Sequence, residues 1–181
     1  MTATPQPWTI VSSERLIDDR WIHLRADTCL DGAGRTIAPY YIHESADWIS
    51  VFAIDEDGSA VVLDEYRPGA RIVAPGIVGG GVEPGEDPGV CAARELREET
   101  GREAGRFVEL GWTWANWGGY ENRVHYFLAL DCRVVAEQQL DSGELITVRT
   151  VPLAETDGMF QQVYHQLNQL KAKEWLAAHG R

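Results

Sequence analysis

Glu95, Glu98 and Glu99 stand at spacings i, i+3 and i+4, so a helix through them would gather three carboxylates on one side. Like charges at such spacings repel by roughly a few tenths of a kcal/mol per exposed pair, so the arrangement calls for a compensating cation. Clustered hard oxygens suit Mg²⁺ or Mn²⁺, ions that keep some waters and accept phosphate oxygens in the remaining positions. The plainer alternative is a solvated face in which Arg94 and Glu98 form an i, i+4 pair.

The helix that must carry these groups has clear ends. Asp87 suits the N-cap, Pro88 the first helical position and Gly101 the left-handed residue after the last turn, which predicts a helix over residues 88–100. Gly89, Ala92, Ala93 and Leu96 are expected on its buried side. A glycine-rich segment, residues 76–85, leads into it. Upstream, residues 8–12, 20–29 and 36–43 read as strands of an antiparallel meander, with a turn at Asp31–Gly34. Residues 48–54 and 60–66 flank Asp55-Glu56-Asp57-Gly58, a strong hairpin signal. Downstream, 106–114, 124–131 and 145–151 read as strands. Residues 154–178 read as a final helix whose apolar face holds Val163, Leu167 and Leu170. Strands interleaved with two helices predict an α/β sandwich over a mixed sheet.

A chain of 181 residues, 44% of them hydrophobic, supports one domain with a substantial core and at most a small extra layer. No apolar run approaches the roughly 18 residues of a membrane span, and the N-terminus lacks the pattern of a secretion signal, so a soluble cytoplasmic protein is expected. Cys29, Cys91 and Cys132 are odd in number and far apart, which reads as buried reduced thiols. A net charge of −12 without a basic cluster argues against long nucleic acid. An anionic small ligand would then need a bound cation.

The spacing extends further. From Gly80, five residues lead to Glu86, seven more lead to Arg94-Glu95, and Leu96, Arg97, Glu98-Glu99, Thr100 and Gly101 follow. This resembles the box of the Nudix family at every fixed position but the last, where Arg102 replaces an aliphatic residue. Residues 45–48, 64–67 and 81–86 are similar to segments of the ADP-ribose and nucleoside-diphosphate-sugar hydrolase branch. The resemblance implies an α/β/α sandwich with a mixed sheet over residues 46–181, preceded by a small antiparallel β subdomain, residues 1–45, that supports a homodimer.

It also implies an activity: metal-dependent hydrolysis of a pyrophosphate bond in ADP-ribose or a nucleotide sugar, releasing a nucleoside monophosphate and a phosphorylated sugar. Glu95 and Glu99 would be metal ligands, Glu98 a further ligand or water-orienting carboxylate, and the Gly79 or Gly80 carbonyl a main-chain ligand. Arg94 and Glu86 would hold loop and helix together. Glu144 is the expected general base with Asp141 as understudy, and Arg67 the phosphate-binding cation. Trp117 and Tyr120, in an aromatic segment, are candidates for stacking on a base, against the alternative that they are core. The branch's Glu-Leu-Pro-Ala-Gly is here Gly76-Ile77-Val78-Gly79-Gly80, which leaves the substrate open. Dinucleoside polyphosphates are the alternative, since Tyr120 lies about where such enzymes carry a tyrosine, and a binding-only sensor is a further one.

Overall fold

Period-two alternation along three strands organises the larger part of the molecule. In the computed structural model, which describes residues 4–180, strands β4 (Trp48–Asp55), β5 (Ser59–Arg67) and β9 (Arg123–Val134) are apolar almost throughout. Ile49, Val51, Val61, Leu63, Phe127 and Ala129 join one buried cluster, while Phe52, Ile54, Ala60, Val62, Leu128 and Leu130 join another. Strands buried on both faces read as near-continuous hydrophobic runs, which is why alternation is hidden in the sequence. Helix α1 (Pro88–Thr100) covers the first cluster through Cys91, Ala92 and Leu96. Helix α2 (Val163–Ala178) covers the second through Ala172 and Leu176. The result is an α/β/α sandwich on a seven-stranded mixed sheet.

The sheet's path runs β10 (Ile146–Pro152), β5, β4, β9 and β8 (Arg102–Trp114), with β6 (Ile72–Gly76) paired to β5 and β7 (Val78–Gly81) paired to β4. Strand β4 is parallel to β9 and antiparallel to β7. This unit comprises Asp47–Thr113 and the chain from Val124 on. The other unit comprises the chain up to Ala46 together with Trp114–Arg123. Its three-stranded antiparallel sheet has the order β1 (Thr9–Asp18), β2 (His23–Leu30), β3 (Thr36–Glu44). Among the described residues, no helix is long and apolar enough to cross a membrane. The three cysteines are free and buried.

Three local expectations need correcting. The glycine-rich segment is not a plain connection, because β6 and β7 fall within or beside it. On α1 the inward residue is Cys91, fully buried, while Ala93 faces solvent, a shift of one side of the helix toward the glycine strand. The final helix starts at Val163, preceded by a 3₁₀ turn at Leu153–Thr156 and by Gly158 at φ +72°. Val163 and Leu170 are exposed, and the buried face instead presents Asn168 and Gln169. Asn168 Nδ2 donates to the Ser50 carbonyl at 2.7 Å and the Phe127 carbonyl at 3.3 Å, so its side-chain nitrogen is satisfied on the buried face of the helix.

Candidate active site

Helix α1 begins as its sequence dictates. The Asp87 carboxylate accepts from the Gly89 and Val90 amides at 2.8 and 3.3 Å, capping the first turn beside Pro88. At the other end Gly101 has φ +66°, and a Cβ there would lie 2.1 Å from the Ala136 carbonyl oxygen, so only glycine fits. Arg102, at the aliphatic position of the box, turns inward and donates through Nε and Nη2 to both oxygens of Asp55 at 2.9 and 3.0 Å. The pair replaces an apolar contact with a buried ionic one.

The helix and the glycine strand β7 together wall a cavity of about 320 Å³. Of the residues singled out in the sequence, Arg67, Gly79, Gly80, Arg94, Glu95, Glu98, Glu99, Asp141 and Glu144 line it. Glycine is needed at 80 for the close approach of the helix: a Cβ there would overlap the Glu95 carboxylate, with Oε1 at 2.1 Å and Cγ at 2.8 Å. The Gly79 amide donates to Glu99 Oε2 at 3.2 Å.

Arg94 is the hub of this wall. Its Nε and Nη2 donate to Glu86 at 3.0 and 3.1 Å, and its Nη1 donates to Glu95 at 2.8 Å and Glu98 at 3.0 Å. Glu86 also accepts from the Glu83 amide at 3.0 Å, and the Arg94 hydrogen bonds hold its carboxyl down to about 2. Thus Glu86 locks loop to helix and Arg94 partly neutralises the acids. Glu99 differs, being 7% exposed and hydrogen-bonded only to an amide; burial first, then the Glu95 charge, push its carboxyl up to about 9. Burial likewise raises Glu95. Glu144 contributes to both shifts, so its charge reaches the same space. Its own carboxylate accepts from the Asp141 amide at 3.0 Å in a tight turn.

Among the described residues, no three Asp, Glu, His or Cys side chains already converge on one point as a metal-ligand set. The expected trio of Glu95, Glu98 and Glu99 is therefore not preassembled, and the reason is Arg94, which draws Glu95 and Glu98 to itself. The chemistry of the donors still fits a hard divalent ion: carboxylates only, one of them desolvated without a counter-charge of its own, beside a strand with bare backbone. Releasing Glu95 and Glu98 from Arg94 takes only side-chain rotation.

Trp117 and Tyr120 are not among the residues that line the cavity. They belong to the first unit, where Trp117 is 84% exposed and Tyr120 packs on His43 with ring centroids 4.8 Å apart. The lining also contains residues that sequence reasoning did not select: Trp48, Glu65, Gly81, Glu83 and Gln139. The signal for Glu65 was available, since residues two apart on a strand share a face, and Glu65 pairs with Arg67 at 2.8 Å. The signal for Trp48 lay only in the pairing of β4 with β7.

The sequence profile of the NUDIX domain matches residues 46–176, and that of the nucleoside diphosphate sugar hydrolase N-terminal domain matches residues 8–43. An ADP-ribose pyrophosphatase of Bacillus subtilis (strain 168) is 31% identical over 108 residues, 59% of this chain and 58% of that protein. A methanol dehydrogenase activator of Bacillus methanolicus is 33% identical over 94 residues, 51% of this chain and 50% of that protein. The matched part of the chain therefore spans only about half the length of these relatives. The crystal structure of an ADP compounds hydrolase superposes with a TM-score of 0.88 at 21% identity, covering 99% of this chain and 100% of that one, which speaks to the fold. With the box residues meeting on one cavity wall and the domain profile running along most of the sequence, the chain belongs to the Nudix family.

Proposed function

We propose that this cavity hydrolyses the pyrophosphate bond of a nucleoside diphosphate joined to a sugar, of the ADP-ribose or nucleotide-sugar class, to a nucleoside monophosphate and a sugar phosphate. The observation that carries the reading is the convergence of Glu95, Glu98, Glu99 and Glu144 on one cavity, beside the bare backbone of Gly79–Gly81. Nudix enzymes generally use divalent metal ions, and the ion favoured by this all-oxygen set is Mg²⁺, with Mn²⁺ able to substitute. When bound it would neutralise phosphoryl charge and make a nearby water more acidic. Glu95 and Glu99 would hold it, with Glu98 and the Gly79 carbonyl as further donors.

The chain's own groups then divide the work. Arg67, half exposed at the end of β5, binds a phosphate oxygen on leaving Glu65. Arg94 fixes the loop through Glu86 and takes Glu98 or Glu95 in turn. Glu144, on a short turn at the cavity's edge, accepts the proton of the attacking water at its carboxylate, one oxygen of which already accepts from the Asp141 amide. Trp117 and Tyr120, in the first unit, are proposed to stack on the base.

A homodimer working in the cytoplasm completes the proposal. Residues 1–45 would serve as the dimerising extension to the hydrolase domain at 46–181. Strand β1 supports this, being exposed along its whole length with Ile10, Val11, Leu16 and Ile17 open to solvent on a sheet edge, an invitation to pair with a second copy. The three buried free thiols agree with a reducing compartment.

The test is hydrolysis of ADP-ribose and nucleotide sugars in ¹⁸O-labelled water with Mg²⁺. The expected products are a monophosphate pair with the label on one phosphate. Nucleotide binding without turnover, under any divalent ion, would overturn the enzymatic reading.

A further inference from the structure

We propose that Gln138 is a positioning residue of this site: it clamps the turn that carries Asp141 and Glu144 to the acidic end of α1, and acts on the reaction through Glu144. The inference rests on the hydrolase reading for that last step, while the clamp stands on its own geometry. The surface residue Gln138 turns its side-chain nitrogen onto two main-chain carbonyls at once, donating to Glu99 at 2.6 Å and to Ile146 at 3.4 Å. The first is a close bond and the second a longer tether. Glu99 lies in the last turn of α1, where a helix has no internal donor left for its carbonyls. Ile146 is buried at the first position of β10, opposite Glu65. One amide group therefore ties the helix end to the start of a strand.

Glutamine suits this task for a chemical reason. Its NH₂ group carries two hydrogens, one for each carbonyl, and the reversed amide would set an oxygen against both carbonyl oxygens. The segment between the two anchors needs such a tether. At its near end the Gln139 amide donates to the Glu98 carbonyl at 2.9 Å, and Leu140 packs against the buried cluster under α1. Beyond that point the turn closes on itself: the Glu144 amide donates to the Asp141 carbonyl at 3.1 Å, and the Asp141 amide to the Glu144 carboxylate at 3.0 Å. Gly143 has φ +104° and would leave an added Cβ in open space, and Leu145 is 85% exposed, so packing adds little here. Glu144 lies two residues before Ile146, so the second anchor decides how far the turn can swing from the acids. Without the clamp the turn keeps its shape and loses its place.

The experiment introduces Gln138→Met, which keeps the length of the side chain and removes the donor, into the whole protein and into its Glu144→Gln variant. Hydrolysis of ADP-ribose with Mg²⁺ gives kcat and KM, and hydrogen–deuterium exchange of the same proteins without nucleotide follows residues 139–146. Loss of the two bonds should speed exchange of that stretch about tenfold, with β4 and β9 exchanging as in wild type. The kcat should fall about tenfold with KM held within about twofold, because a misplaced base slows the chemistry more than the binding. In the Glu144→Gln background the same substitution should cost no more than about twofold. Exchange over residues 139–146 that is no faster overturns the proposal, as does a rise in KM alone or an equal loss of kcat in both backgrounds. Faster exchange in a chain that hydrolyses no nucleotide supports the clamp and sinks only the enzymatic reading, whereas turnover indifferent to Gln138→Met sinks only this one.

Discussion

Replacing Arg102 by leucine would restore the aliphatic residue found in the family pattern, and in this chain it should destabilise the protein. The Arg102 side chain is 10% exposed and that of Asp55 is 18% exposed. Removing the arginine deletes two charge-assisted hydrogen bonds to Asp55 and one, at 3.3 Å, to the Thr100 carbonyl. Breaking one side of a buried pair costs about 3–5 kcal/mol, chiefly because the partner charge is left unpaired. Asp55 keeps some access to water, so the low end, about 3 kcal/mol, is expected. For a domain of this size that lowers Tm by roughly 6–12 °C. In the double variant Asp55→Asn/Arg102→Leu the stranded charge is gone, and at least half the loss should return. Urea denaturation followed by circular dichroism reads all four corners of the cycle. An Arg102→Leu protein as stable as wild type, or single losses that simply add in the double variant, would refute the account of Arg102 as a buried ionic substitute for an apolar contact.

Other perturbations address the cavity and its surroundings. Glu99→Gln should cut turnover at least about a hundredfold, the scale of one preorganised electrostatic contact, with the fold retained; near-normal kcat in a folded variant would remove Glu99 from the metal set. In Glu144→Gln, turnover should fall while Mg²⁺ affinity measured by calorimetry stays largely unchanged, and an unchanged rate would pass the base role to Asp141 or Glu98. His165 is partly buried with Nδ1 closed to solvent, and burial first, then the Arg67 charge, hold its imidazole down to about 4 from 6.5. The unfolded chain then binds the proton that the folded state refuses, so stability from this group is intact above about pH 6.5 and falls as pH drops toward 4. Between pH 7 and 5 that amounts to about 2 kcal/mol, and His165→Gln should flatten this part of the urea-midpoint profile. An unaltered slope would show that another group sets the acid sensitivity.

What the sequence disclosed was local. The limits of α1 follow from Asp87, Pro88 and Gly101, whose preferences need no partner, and they match the structure residue for residue. The box acids were legible because helical spacing alone puts them on one side. Strands β6 and β7 were not, since Pro75 and Gly76 in the one and three glycines in the other have little strand propensity, and both take their conformation from pairing with β5 and β4. The inward face of α2 was misread because Asn168 is buried for the sake of carbonyls on β4 and β9, which only the folded sheet supplies. Trp48 lines the cavity for the same reason, through the pairing of β4 with β7. The aromatic run at residues 112–120 is divided between the two units, with Trp114–Tyr120 in the first, a division that composition alone does not show.

The C-terminal end of α1 explains how acids from two distant segments meet. A helix leaves its last carbonyls without internal partners, and here each is taken. Thr100 Oγ1 donates to the Leu96 carbonyl, the Gly101 amide to Arg97, the Gln139 amide to Glu98, Gln138 Nε2 to Glu99 at 2.6 Å, and the Val135 and Ala136 amides to Gly101. Gln138 Nε2 also reaches the Ile146 carbonyl at 3.4 Å, at the start of β10. The segment from Val135 to Gln139 is thus stitched to the helix end that bears Glu98 and Glu99, and it delivers Asp141 and Glu144 to the same cavity within a few residues. The bonds that finish the helix are therefore the ones that bring the expected base toward the acids, so Gly101, which alone permits the close approach to Ala136, acts on the site without touching it.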